Sequence, residues 1–176
     1  MEKFKLSLPA SLTFTGDIII TDPCYFIPKL IWEELWDAWF TPDGLATKYA
    51  EKGIIEFKDD IKVLYSSTAY GDGEYSIYLN RGNGESVHDN TINVDSGMMA
   101  VILVEDVQKL NPKFNIDDTI HPRINDFDGL IKANGDGDFV GDIQINTQEE
   151  PELYSIDEYD EYDDDSDAYY NFEDED

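Results

Sequence analysis

The sequence predicts an α+β fold: a mainly antiparallel, curved sheet or partly open β-barrel packed on one Trp-rich helix, followed by an acidic C-terminal tail. Three observations carry this reading. Short apolar or alternating runs recur along residues 1–148, most of them bounded by Gly, Asp, Asn or Pro. One stretch, Ile31 to Phe40, has helical periodicity and holds all three tryptophans of the chain. The last 28 residues hold fifteen Asp or Glu and no Lys or Arg. The expected division is therefore a compact β-rich domain over 1–148 and an acidic, Tyr-containing tail over 149–176.

Phe4, Leu6 and Leu8 alternate with polar residues, and Leu12 and Phe14 repeat the pattern after Pro9, which predicts two strands. Gly16-Asp17 reads as a turn into Ile18-Ile19-Ile20, a short buried strand that stops at Thr21-Asp22-Pro23. Pro28 suits the first turn of a helix running to about Phe40. Ile31, Trp32, Leu35, Trp36, Trp39 and Phe40 fall on one stripe of it and are expected in the core, while Glu33, Glu34 and Asp37 face water. Leu45 to Lys52 is compatible with a short second helix.

From Gly53 onward the pattern is β. Ile54 to Phe57 and Ile61 to Thr68 flank Lys58-Asp59-Asp60 as a hairpin, and Tyr75, Ile77 and Leu79 alternate. Asn80 to Asn90 reads as a polar loop, and Met98 to Val104 as a central strand. Glu105 to Leu110 has room for one helical turn, and 111–128 looks irregular. Leu130 to Ala133 and Asp138 to Asn146 face each other across Asn134-Gly135-Asp136-Gly137, a hairpin signal. The count is about eight strands.

Charge excludes several function classes. The chain carries −28, and outside the last 28 residues its 25 acidic and 12 basic residues still leave about −13. Such a body repels nucleic acid and anionic membranes and attracts basic surfaces, so neither direct nucleic-acid binding nor membrane binding is expected. Cys24 is the single cysteine, so no intrachain disulfide forms and a reducing compartment is the default. Residues 1–15 lack the apolar run of a signal peptide and no run approaches a membrane span, so the expected location is the cytoplasm.

The constellations for chemistry are sparse. A catalytic Cys24 needs a base, and neither His88 nor His121 is paired with it by spacing. Asp17, Asp22, Asp72 and Asp95 all lie at expected strand ends or turns, where gathered carboxylates can hold Mg²⁺ for phosphoryl chemistry. Asp is also at home in turns for structural reasons. Asn134, Asp136 and Asp138 start like a calcium loop, but Phe139 stands where Gly is needed and Ile145 where Glu is needed. No cofactor motif, catalytic set or metal set is expected.

Gly16-Asp17-Ile18-Ile19-Ile20-Thr21-Asp22-Pro23-Cys24-Tyr25, Tyr70-Gly71-Asp72-Gly73-Glu74-Tyr75 and Val94-Asp95-Ser96-Gly97, in this order, resemble stretches of small bacteriophage and prophage proteins of uncharacterised activity. The resemblance covers roughly residues 16 to 104. It implies a compact β-rich domain and a phage context, with no activity attached, and it does not extend to the acidic tail.

The tail suggests a class of function. Its carboxylates are Glu149, Glu150, Glu152, Asp157, Glu158, Asp160, Glu161, Asp163, Asp164, Asp165, Asp167, Glu173, Asp174, Glu175 and Asp176. Interleaved with them are Tyr154, Tyr159, Tyr162, Tyr169, Tyr170 and Phe172, and solvating tails are normally poor in such residues. Duplex DNA presents about one charge per 1.7 Å of axis, and closely spaced carboxylates imitate that. Extended at about 3.3 Å per residue, the tail tracks roughly 90 Å of groove, and its rings can stack where bases stack. The expectation is a non-enzymatic inhibitor that mimics nucleic acid in the basic groove of a host nucleic-acid-binding protein. In a phage context such targets include a restriction enzyme, a CRISPR effector, another defence nuclease or a polymerase. The alternative is a small metal-assisted phosphohydrolase using the clustered Asp residues. A third reading, a single-strand-binding accessory protein with an acidic recruitment tail, conflicts with the charge of the body.

Overall fold

The computed structural model describes residues 2–80, 86–116, 121–135 and 138–145, with the side chains at 77–80, 86–90, 138, 144 and 145 left out of the description. Ten strands lie in one sheet: β1 (Phe4–Ser7), β2 (Ser11–Thr21), β3 (Lys52–Phe57), β4 (Lys62–Ser67), β5 (Gly73–Asn80), β6 (Ser86–Val94), β7 (Met98–Leu103), β8 (Arg123–Gly135), β9 (Asp138–Gly141) and β10 (Ile143–Ile145). Their order across the sheet is β1-β3-β4-β7-β2-β8-β9-β10-β5-β6, and every described pairing is antiparallel. The sheet is open, with β1 and β6 at its edges. Two helices, α1 (Lys29–Trp39) and α2 (Val104–Leu110), complete an α+β fold.

The sheet curls over itself. Phe14, Ile18 and Ile20 of β2, Ile54 of β3, Leu64 of β4 and Val101 of β7 share one core with Ile131, Phe139, Ile143, Tyr75, Ile92 and Val94 from the other half. The opposite face of the first half forms a second core, in which Ile19, Ile55, Val63, Tyr65, Ala100 and Ile102 meet Leu35 and Trp39 of α1 and Val107 of α2. β2, β3, β4 and β7 are thus buried on both faces, which is why Ile18-Ile19-Ile20 and Met98 to Ile102 read as unbroken apolar runs rather than alternations.

Several local expectations are corrected. Gly16-Asp17 is not a turn: β2 runs straight through it for 11 residues, with a bulge against β8 between Gly16 and Ile18. Gly16 holds φ +127°, a backbone state that suits glycine, so the strand bends without breaking. Leu45 to Lys52 is not helical. Thr47 donates its hydroxyl to the Ala38 carbonyl and its N–H to the Trp39 carbonyl, which folds the segment back along α1. The polar stretch ending at Asn90 contributes to β6, an edge strand that needs to bury only Ile92 and Val94 among its described side chains. The expected irregular region 111–128 already contains the start of β8, because β2 offers a free edge and Phe127 has a place in the core.

The helical stripe is also narrower than expected. Leu35 and Trp39 are fully buried and Ile31, Trp32 and Phe40 partly so, but Trp36 is 44% exposed. Trp36 lies one residue, about 100°, round the helix from Leu35, which puts it on the flank of the contact. No described helix is long and apolar enough to cross a membrane.

Candidate functional site

The stretches 16–25, 70–75 and 94–97 meet in space. Asp22 directly follows β2, is fully buried and caps the short 3-10 turn Pro23–Tyr25. Its Oδ1 accepts from the Cys24 N–H at 2.8 Å and from the Ser96 hydroxyl at 2.6 Å. Its Oδ2 accepts from the N–H groups of Asp95 at 2.8 Å and Ser96 at 2.6 Å. One carboxylate therefore clamps the turn after β2 to the β6–β7 connection. The third stretch closes on the same connection: Thr68 donates its N–H to the Gly97 carbonyl at 2.9 Å, and its hydroxyl bonds the Gly71 carbonyl at 2.6 Å. Gly71 also accepts from the Tyr75 hydroxyl at 2.8 Å.

This geometry uses Asp22 up. A carboxylate that accepts from four donors inside the protein is structurally satisfied and has little acceptor capacity left for a cation. Asp72 and Asp95 are exposed nearby. Asp17 is elsewhere, on the β2–β8 bulge. There its Oδ1 accepts the Asp126 N–H at 2.9 Å and its Oδ2 the Arg123 guanidinium at 2.7 Å. The Asp126 N–H holds the Asp17 carboxyl below the ordinary aspartate range, with Arg123 adding to the effect. The four aspartates singled out by the sequence therefore divide into a bulge staple, a turn clamp and two surface residues. Among the described residues no group of three or more His, Cys, Asp or Glu could hold a metal ion.

Cys24 sits beside the clamp, partly buried. Burial pushes its thiol strongly up, and the neighbouring Asp22 and Asp95 carboxylates push it further, against a weaker opposing contact from Ser96. Nucleophilic cysteines need the reverse, an electropositive surrounding that favours thiolate. His121 is buried with Nδ1 2.8 Å from the Thr21 hydroxyl, and its ring lies 5.2 Å from Tyr25 and 5.0 Å from Phe114. The sequence missed this pairing of Thr21 with His121, 100 residues apart, and no local signal announces it. The side chain of His88 and the whole of Glu149 to Asp176, with every partner-binding residue expected from the sequence, lie outside the described residues.

Two clefts complete the described surface features. One of about 430 Å³ is lined by Ile31, Phe57, Ile61 and Leu110 with Lys3, Lys58 and Lys109 among acids. In it Lys3 pairs with Glu34 and Lys109 with Asp106, so its cations are compensated. A smaller one, about 220 Å³, lies between Asp17 and the start of α2. Trp36 is one of six exposed large apolar side chains among the described residues; it meets Phe40 at 4.8 Å, while buried Trp39 lies 5.5 Å from Trp32. No protein family, curated protein or solved structure matches the chain.

Proposed function

We propose that this protein is a non-enzymatic, acidic binding protein, phage-encoded, that acts as a nucleic-acid mimic on a basic groove of a host nucleic-acid-handling protein. The observation that carries the reading is charge: −28 over 176 residues, with fifteen of the 40 acidic residues in the last 28. The division of the aspartates supports it, because two of the four candidates for metal chemistry, Asp22 and Asp17, are occupied in holding a turn and a bulge. The occupants of the groove are the carboxylates and rings of 149–176, on a body that keeps its own negative charge. Host cytoplasm is the compartment that goes with a single, unreactive thiol.

The test is binding of the full-length chain to purified basic-groove proteins, a restriction enzyme, a CRISPR effector and a polymerase, with duplex DNA as competitor. The expected result is DNA-competitive binding to one of them, weakening steeply as salt rises, and lost when residues 149–176 are removed. Unchanged affinity in the truncated chain overturns the role of the tail.

A further inference from the structure

We infer that the exposed flank of α1, centred on Trp36, is a second docking surface, and that its occupant is a partner segment presenting Arg or Lys beside apolar residues. Trp36 is 44% exposed, and Leu45, next to the Phe40–Ala46 bridge that follows the helix, is 67% exposed. Trp is among the side chains most enriched where binding energy concentrates.

Trp36 is also held in place. Its ring contacts Trp32 at 6.3 Å, Trp39 at 6.3 Å and Phe40 at 4.8 Å, and Trp39 is anchored in the core against Tyr65 at 5.2 Å. A rigid aromatic face loses little freedom on binding.

Charge selects the occupant. Glu33 precedes Trp36 by one helical turn, Asp37 follows it, and Asp43 lies in the next loop; all three are exposed, without a described side-chain partner. Glu34 is already paired with Lys3, and the helix has one cation, Lys29, two turns away. A cation placed over the Trp36 face meets the negative ring, with the Glu33 carboxylate one turn back on the same side of the helix and Asp37 next in sequence. The same charges argue against a second copy, since a two-fold contact sets Glu33 and Asp37 against themselves, and against an anionic lipid surface. None of the residues of this surface belongs to 149–176, so either proposal can fail without the other.

The experiment uses the full-length chain with ¹⁵N-labelled tryptophans and two synthetic peptides, one alternating Arg with Leu, the other with citrulline replacing Arg. The Arg peptide is expected to shift the Trp36 indole signal saturably and to leave that of buried Trp39 in place. Trp36→Gln, which removes the reporter and is followed by calorimetry, and separately Glu33→Gln with Asp37→Asn, are expected to weaken peptide binding by about two- to fivefold each. The double carboxylate variant keeps the test open if the Trp36 substitution disturbs the fold. Equal shifts with the citrulline peptide, unchanged affinity in both variants, or Arg-peptide binding that leaves the Trp36 signal in place and is lost when residues 149–176 are removed would overturn the proposal. So would a Trp36 signal that moves with protein concentration alone.

Discussion

Replacing Asp22 by Asn would keep its volume and turn an NH₂ group toward donors that now meet an oxygen. The N–H groups of Asp95 and Ser96 both aim at Oδ2, so an NH₂ there leaves two donors facing a donor; at Oδ1 it leaves the Cys24 N–H facing a donor, while the Ser96 hydroxyl can turn to accept. Each buried group left unpaired costs about 1–3 kcal/mol. Asp22→Asn is therefore expected to lower unfolding stability by roughly 1–3 kcal/mol in urea titration, whereas Asp95→Asn, at an exposed side chain, changes it little. A wild-type stability in Asp22→Asn would refute the clamp. Asp-Pro in the sequence announced a turn with Asp bonding the backbone just ahead, and it does bond Cys24. The stronger contacts reach residues 73 and 74 positions away, which no local pattern encodes.

At the scale of elements, β2 and its neighbours carry two predictions. Asp17 bridges the bulge by accepting the Asp126 N–H and the Arg123 guanidinium, and its carboxyl is shifted below the usual 3.8. A carboxyl with a lowered folded-state value stabilises above its unfolded value, and the contribution fades as pH falls through the folded one. Asp17→Asn should therefore flatten the acid limb of the stability curve below about pH 4, read by thermal melts at stepped pH. An unchanged acid limb would remove Asp17 from the staple. Gly53 on β3 pairs with Tyr65 on β4, and a Cβ there would stand 2.6 Å from the Tyr65 hydroxyl and 2.9 Å from its ring. That hydroxyl is tied to the Tyr49 carbonyl at 2.6 Å and the ring to Trp39, so it has no easy retreat. Gly53→Ala is expected to cost about 1–3 kcal/mol by overpacking; a neutral substitution would mean that the ring moves freely. The helix α1, the β3–β4 hairpin and the central place of β7 were readable because each is a local pattern with a long apolar signature. The continuity of β2 through Gly16 and the early start of β8 were hidden because a bulge mixes turn residues into a strand. Trp36 was misjudged because periodicity reports an apolar stripe, while the contact covers only the part of it that faces the sheet.

For the molecule as a whole, like charge dominates. With 40 acidic against 12 basic residues, the folded chain repels itself more than an expanded one does. Raising salt from about 20 mM to about 500 mM cuts the screening length from roughly 20 Å to roughly 4 Å, so the melting temperature should rise by several degrees. A melting temperature that falls or stays level would show that the described ion pairs outweigh the repulsion. The acidic composition was plain from the sequence, and so was the α+β class. The curl that turns one sheet into two packed layers was not, because it depends on which distant strands become neighbours.

The sheet order has a consequence for the chain as it is made. β2 ends at Thr21, yet the strands on either side of it, β7 and β8, begin at Met98 and Arg123. During synthesis, at about 5–20 residues per second, Ile18-Ile19-Ile20 leaves the ribosome with both of its edges unpaired for many seconds. The core shared by the two halves of the sheet cannot close until β8 has emerged. That core therefore forms late, and the excess of carboxylates keeps the nascent body apart from its neighbours on the polysome while it waits.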